Sequence, residues 1–255
     1  MEQSEILLYE ELQSNAFPAL QIVMYDGWSV RFGGGFTYRV NCANAMYPER
    51  LPAAEKVRFV DELYQRSDLN MSIFKFHDGM DPAQREACEA ELDQMGYATE
   101  RSGNIYVCDL TSFYRLPNAQ VRIESVMTKQ WLDGFLTMNG TAEAQRLAAS
   151  IMLQNIAFPI AATSIWEDGR MIACGLGVME RGRIGLYDIY VDAACRRRGL
   201  GGDICTAIMN YGRDNGCHTA YLQCLSDNLG AQKMYDQLGY SETYHYWFRT
   251  RRFES

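Results

Sequence analysis

The chain nearly repeats itself. DQMGYATE occupies residues 93–100 and DQLGYSET residues 236–243, an offset of 143 positions in a chain of 255. Each copy follows a segment with apolar residues at helical spacing (Ala87, Leu92 and Met95; Leu229, Met234, Tyr235 and Leu238), and each places a glycine where a helix would end before a strand. Two further segments, LQIVMYDGWSVRF around Asp26-Gly27 and ATSIWEDGRMIACGLGV around Asp168-Gly169, carry strand-like runs about an Asp-Gly hairpin signal and lie 142 positions apart. Features recurring in one order at a nearly constant offset predict two copies of one folding pattern. The reading is of an α/β chain (α+β, with a mixed sheet) divided near the RLPNA linker, with a domain at 1–117 and another at 118–255.

Local patterns supply the elements. The second half reads as strand 119–126, helices 128–139 and 142–154, strands 159–167, 171–179 and 184–191, helix 200–214, strand 218–225, helix 229–238 and strand 240–249. The first half reads as helix 4–14, strands 20–25, 28–32 and 36–42, helix 53–67, strand 71–76, helix 81–95 and a hairpin over 97–109. The order is the same, shortened at its start. Gly33, Gly34 and Gly35 read as a tight hairpin connection, because a strand rather than a helix is expected after them.

Charge narrows the partners. The formal net charge is −8, and the excess lies wholly in the first half, where residues 1–118 hold 18 acidic and 10 basic side chains against 14 and 14 in the remainder. An acidic half repels phosphate backbones and attracts cations, so a cationic ligand is expected and nucleic acid is not. The eight cysteines form no C-x-x-C pair and mostly fall in apolar runs, and the three histidines are scattered, so reduced thiols and no metal site are expected. The first twenty residues have neither the basic start nor the apolar centre of a signal peptide, and no apolar run approaches the roughly 20 residues of a membrane span. The expected location is the cytoplasm, away from membranes.

Against this acidic background stands CRRRGLGGD at 195–203. It follows a β-branched and aromatic strand, IGLYDIYVD, and precedes a segment with Leu200, Ile204, Ile208 and Tyr211 at helical spacing. The first N–H groups of a helix have no backbone acceptor, and glycines there allow an anion close to the backbone. Arginines at the rim add charge-assisted contacts. Strand, glycine turn, helix and arginines together describe a cradle for a diphosphate. A P-loop would need GxxxxGK[ST], and a dinucleotide fingerprint would need a glycine at position 204, where isoleucine stands.

Arg196-x-x-Gly199-x-Gly201 instead resembles the acyl-CoA pyrophosphate loop, R/Q-x-x-G-x-G/A, of the GNAT superfamily of N-acetyltransferases. The strand ending in YVD, the strand AYLQC and the series Asn228, Ala231, Tyr235, Gly239 and Tyr240 resemble the rest of that signature, over about the last 135 residues. The resemblance implies a GNAT acyltransferase fold, complete in the C-terminal domain and truncated in the N-terminal one. There the corresponding stretch, NCANAMYPERLPAAEK, lacks paired glycines and is not expected to hold CoA. GGFTYRVNCAN is similar to a glycine-arginine-asparagine stretch in some tandem members and receives no catalytic role.

What the resemblance implies for the site is specific. Backbone at Ile189, Tyr190 and Val191 would hold the pantetheine arm and supply the oxyanion donor. Arg196, Arg197, Arg198, Gly199, Leu200, Gly201 and Gly202 would hold the pyrophosphate of acetyl-CoA. Tyr235 would protonate the departing sulfur, or is a core aromatic. Asn228 would cap its helix, contact the cofactor, or both. Asp188 is read as interrupting an apolar face formed by Ile184, Leu186 and Tyr190. It would be the general base or a structural aspartate, with water or Glu124 as the alternative base. The implied activity is direct transfer of an acetyl group from acetyl-CoA to a primary amine of a small molecule or peptide. The competing readings are an acyl-CoA sensor or partner-binding module without turnover, and aminoacyl transfer from charged tRNA, which the acidic half disfavours.

Overall fold

In a computed structural model, residues 1–67 and 69–253 are described. In chain order the elements are α1 (Gln3–Ala16), β1 (Gln21–Tyr25), β2 (Trp28–Phe32), β3 (Ala43–Ala45), α2 (Ala53–Gln65), β4 (Met71–His77), α3 (Pro82–Gln94) and β5 (Ala98–Asp109). They continue with β6 (Arg122–Glu124), α4 (Lys129–Met138), α5 (Glu143–Gln154), β7 (Ile160–Glu167), β8 (Arg170–Glu180), β9 (Arg183–Val191), α6 (Leu200–Asp214), β10 (Thr219–Leu225), α7 (Leu229–Gln237) and β11 (Ser241–Arg252). Among the described residues no helix is long and apolar enough to cross a membrane.

The chain forms two compact units that exchange segments. The first comprises Met1–Gly103, Leu147–Asn155 and the chain from Tyr244 onward; the second comprises Asn104–Arg146 and Ile156–Thr243. Strands β5 and β11 each begin in one unit and end in the other.

In the first unit β1 pairs β2, β2 pairs β3 and β4 pairs β11, all antiparallel, whereas β3 and β4 are parallel and joined through α2. Its core gathers Trp28, Val57, Val60, Tyr64, Phe74, Phe76 and Tyr97. In the second unit β6, β7, β8 and β9 pair in antiparallel order, and β9 runs parallel to β10 through α6. Its core places Ile184 and Leu186 of β9 against Ile204, Cys205 and Ile208 of α6. Each unit thus combines parallel and antiparallel strand pairs, the mixed pattern expected. On α6 the buried row runs through Gly212, whose missing side chain lets Ile184 approach; Tyr211, read as part of that face, is only half-buried.

The repeated octapeptides use the same local device. Gly96 and Gly239 take φ of +78° and +90° just after α3 and α7. The next residue in each case donates back into the helix, Tyr97 N to Leu92 O at 3.0 Å and Tyr240 N to Tyr235 O at 3.1 Å. This is the left-handed helix stop that favours glycine. The two Asp-Gly turns match as well, with positive φ at Asp26, Gly27, Asp168 and Gly169, the geometry that keeps hairpin strands correctly twisted.

Two first-half expectations are corrected. Residues 36–42 are not a strand: a 3-10 turn occupies Tyr38–Val40, and the strand that pairs with β2 starts at Ala43. The cause is Asn41, whose side-chain oxygen accepts from Gly33 N at 2.8 Å and Gly35 N at 3.2 Å while its amide donates to Thr37 O at 2.6 Å. The glycine triplet thus opens a long clamped loop, not a tight hairpin. Residues 98–109 form one strand instead of a hairpin; Arg101 takes φ of +50° there without reversing the chain.

Candidate functional site

The site begins with a fault in β9. Cys174 of β8 faces Tyr190, but Leu176 faces Tyr187, so Gly175 stands opposite one residue too many. This is a β-bulge, and Asp188 within it adopts φ of +51°. The extra residue inverts the alternation of side chains. Ile184 and Leu186 lie in the core with α6, and beyond the bulge it is Ile189 and Val191 that pack on that core. Tyr190 points elsewhere, with its ring 5.9 Å from Phe135 and its hydroxyl donating to Asn139 Oδ1. The expectation that Asp188 shares one face with Ile184, Leu186 and Tyr190 is overturned, because an unbroken period of two does not survive the bulge.

The bulge also ends a ladder. Pairing of β9 with β10 stops at Leu186 opposite Leu222, although the strands run on to Val191 and Leu225. Where they part, Ile189, Tyr190 and Val191 line a cleft of about 840 Å³. One edge of this backbone bonds β8; the other faces the opening.

The loop 196–202 continues the wall. Arg197 and Gly199 both have positive φ, +63° and +81°, and Gly199 is the N-cap of α6. The first intrahelical bond is Asp203 N to Gly199 O at 3.1 Å, so the N–H groups of Leu200, Gly201 and Gly202 precede it. A side chain at Gly202 would meet nothing within 4 Å, and one at Gly201 would come within 3.3 Å of Met234 Sδ. Gly202 therefore leaves open space beside the helix start, whereas at Gly201 the absent side chain lets Met234 pack close. Arg196, Arg197, Gly199, Leu200, Gly201 and Gly202 all line the cleft. Arg198 does not: its guanidinium forms a two-pronged pair with Glu167 at the end of β7, with one contact of 3.1 Å. Of the three arginines, two face the cleft and the third ties the loop to the β7–β8 hairpin.

From the facing side come Asn228 and Tyr235. Asn228 caps α7 by accepting from Ala231 N at 3.2 Å and also lines the cleft. Tyr235 is 7% exposed, stands among Tyr106 and Tyr240, and still contributes to the lining. Burial, with Cys205 and Cys224 adding to it, pushes its phenol well above the usual range. At neutral pH it is protonated.

Asp188 is half-buried and outside the cleft lining; its carboxylate lies close enough to Cys174 to add to the burial that raises that thiol to about 12. Glu124 is not brought to the cleft. It sits on β6, and its carboxylate accepts from Thr128, the N-cap of α4, at 3.3 Å.

Sequence reasoning missed the wall formed by Arg115, Leu116 and Asn118, which reads as a linker. Asp203, within CRRRGLGGD, holds this wall: its carboxylate accepts from Asn118 N at 2.9 Å and Ala119 N at 3.2 Å. A buried Asp beside a helix start was the available signal, but its partners lie 85 positions away.

The matching place in the first unit is closed from within. There the β3–α2 connection replaces the glycine loop, and the Asp26 carboxylate of the β1–β2 turn accepts from Arg50 N at 2.9 Å and Leu51 N at 2.8 Å, just before α2. An internal carboxylate takes these loop donors. Gly27 must be glycine, since a Cβ would lie 2.4 Å from Tyr47 O.

A parted parallel strand pair, a bulge beside it and a glycine-started helix at the parting are features of the GNAT fold. Solved structures share it. A GCN5-related N-acetyltransferase from Kribbella flavida superposes with a TM-score of 0.68 at 15% identity, covering 97% of this chain and 95% of that one. A tandem GNAT protein from the clavulanic acid biosynthesis pathway gives 0.66 at 12% identity, covering 95% and 87%. Residues 3–249 match the family described as "Probable histone acetyltransferase Rv0428c C-terminal", and the chain belongs to that family. In sequence it is also similar to the uncharacterized N-acetyltransferase YobR of Bacillus subtilis (strain 168), 21% identical over 122 residues, 48% of this chain and 49% of that protein. The chain spans about half the length of the curated relatives it matches.

Proposed function

We propose that this protein transfers an acetyl group from acetyl-CoA directly to a primary amine. The observation that carries the proposal is the coincidence, in one cleft, of open helix-start donors, two arginines, freed β9 backbone and a buried tyrosine. A diphosphate fits the chemistry of Arg196, Arg197 and the first-turn N–H groups of α6, and the open positions at Gly199 and Gly202 give it room. Acetyl-CoA, when bound, supplies an activated thioester carbonyl and a thiol leaving group.

The chain's own residues have three tasks. The free edge of Ile189–Val191 offers N–H groups to orient the arm and to stabilise charge on a carbonyl oxygen, held rigid by the β8 ladder on its other edge. Tyr235 holds a proton at its hydroxyl for the sulfur, kept there at neutral pH by its buried surroundings. Asp188 is the proposed base, acting directly or through water, since a free alkylamine with pKa ~10.4 is almost wholly protonated at neutral pH. The acceptor is proposed to be a cationic, lysine-like amine of a small molecule or peptide; the net charge of −8 and the family's histone acetyltransferase description support this class. The acidic balance disfavours polyanionic partners, and the cytoplasm is the proposed location.

The test is to mix the protein with acetyl-CoA and a panel of amines, including lysine-rich peptides, while following free thiol. Amine-dependent thiol release is expected. Tight CoA binding with no release on any amine would refute turnover and leave a sensor or binding module.

A further inference from the structure

The cleft holds a third arginine that the reading above does not use. Arg115 lines the same cleft, next to Leu116. Among the described residues it makes no ion pair, and its side chain is exposed. Its backbone is nevertheless fixed, because its carbonyl accepts from Asn210 Nδ2 at 2.8 Å, while Asn118, three residues on, is bonded to Asp203. The wall therefore runs antiparallel to α6 between positions 210 and 203, a rise of about 10 Å along the helix. Leu116 is 75% exposed, an apolar side chain held open in a cleft rather than on a convex surface.

A cation without a counter-charge, beside an exposed apolar side chain, away from the diphosphate cradle but in the same cleft, suits a phosphorylated nucleoside. We propose that Arg115 and Leu116 form the subsite for the 3′-phosphoadenosine end of acyl-CoA, Arg115 for the 3′-phosphate and Leu116 for a face of the purine. The inference rests on the acyl-CoA reading of the cleft and extends it to a recognition element outside the glycine loop. The charges agree. Arg196 and Arg197 stand at the diphosphate position, Arg198 is occupied by Glu167, and the remaining phosphate requires a cation from elsewhere. Asp203 is the one carboxylate in this lining, and it faces the backbone donors of Asn118 and Ala119.

Calorimetric titration with CoA and with 3′-dephospho-CoA tests the subsite. The wild-type protein should prefer CoA by about tenfold, the size of a charge-assisted contact at a partly solvated site. Arg115→Ala should bring the two affinities together by weakening CoA alone, and Arg115→Lys should keep part of the preference. Arg196→Ala should weaken both ligands in proportion and leave their ratio intact. Equal wild-type affinities, or a ratio unchanged in Arg115→Ala, overturns the subsite while leaving the acyl-CoA reading standing. Binding of neither ligand by a folded wild-type protein overturns that reading and the subsite with it. Melting curves of each variant establish folding, and because Arg115 is exposed they should match the wild type.

Discussion

Gly175→Ala probes the bulge on which the cleft depends. The added Cβ would stand 2.5 Å from Ile204 Cγ2, 2.7 Å from Ile189 Cδ1 and 3.1 Å from Ile208 Cδ1. Ile204 and Ile208 are fully buried in α6 and β-branched, so they cannot swing aside. Ile189 is half-buried and lines the cleft, so it is the neighbour that moves. Overpacking of this kind costs about 1–3 kcal/mol. For a chain of this length that corresponds to a fall in Tm of roughly 2–12 °C. Gly177→Ala is the control, since its Cβ would press on Ile208 Cγ2 at 2.7 Å and Ile184 Cδ1 at 3.0 Å without touching a residue of the cleft. Both variants should melt lower by scanning fluorimetry. Only Gly175→Ala should also weaken CoA binding by calorimetry. Equal losses of affinity in the two variants, or a wild-type Tm and affinity in Gly175→Ala, would refute the link between bulge and cleft.

Tyr235→Phe should lower kcat by about 10²-fold or more with CoA affinity nearly unchanged. Because burial raises the phenol, it stays protonated past its ordinary pKa near 10, so no alkaline loss of activity below that pH should trace to Tyr235; a lower alkaline limb that vanishes in the variant would contradict this. Asp188→Asn should abolish the acidic limb of the pH–rate profile, and its persistence would assign the base elsewhere. In the first unit Glu10 is fully buried; burial alone would raise its pKa, but Lys75, His77 and Asn44 together lower it from the usual 4.5 to about 2. A depressed carboxylate contributes stability above about pH 4.5 that is lost as pH falls toward 2, so acid unfolding monitored by circular dichroism should begin in that window. Glu10→Gln should flatten that limb and destabilise the protein by about 3–5 kcal/mol at neutral pH by leaving Lys75 buried without its counter-charge; an unaltered acid transition would show that the pair is not what fails.

What was legible in the sequence was local. The helix stops at Gly96 and Gly239, the Asp-Gly turns and the start of α6 at the glycines each depend on residues within one turn of themselves, and the structure has them as read. What was not legible depended on distant partners. The bulge needs a glycine on the neighbouring strand, Arg198 is claimed by a glutamate 31 positions earlier, and Asn41 unmakes a strand by bonding backward to a glycine loop. Residues 115–118 read as a linker because Pro117 breaks any pattern there, yet Asp203 and Asn210 convert that segment into a wall. The SGN sequence after Arg101 has turn composition, but Arg101 sits over the Tyr38 ring at 4.2 Å and the strand continues.

The two units show why a folding pattern alone does not confer a site. Both contain a hairpin with an Asp-Gly turn followed by two parallel strands joined through a helix. In the second unit the hairpin contacts the loop before the helix from outside, through Glu167 to Arg198 and Arg170 to Asp192, and the helix-start donors stay open. In the first, the turn itself enters, and Asp26 takes the loop donors at Arg50 and Leu51. Burial would raise the Asp26 pKa, but the backbone donors, Leu51 first, lower it, as they would favour any bound anion. One copy thus supplies its own carboxylate to its loop donors. In the other, the N–H groups of Leu200, Gly201 and Gly202 precede the first intrahelical bond, and these are the donors that the proposed function assigns to a bound diphosphate.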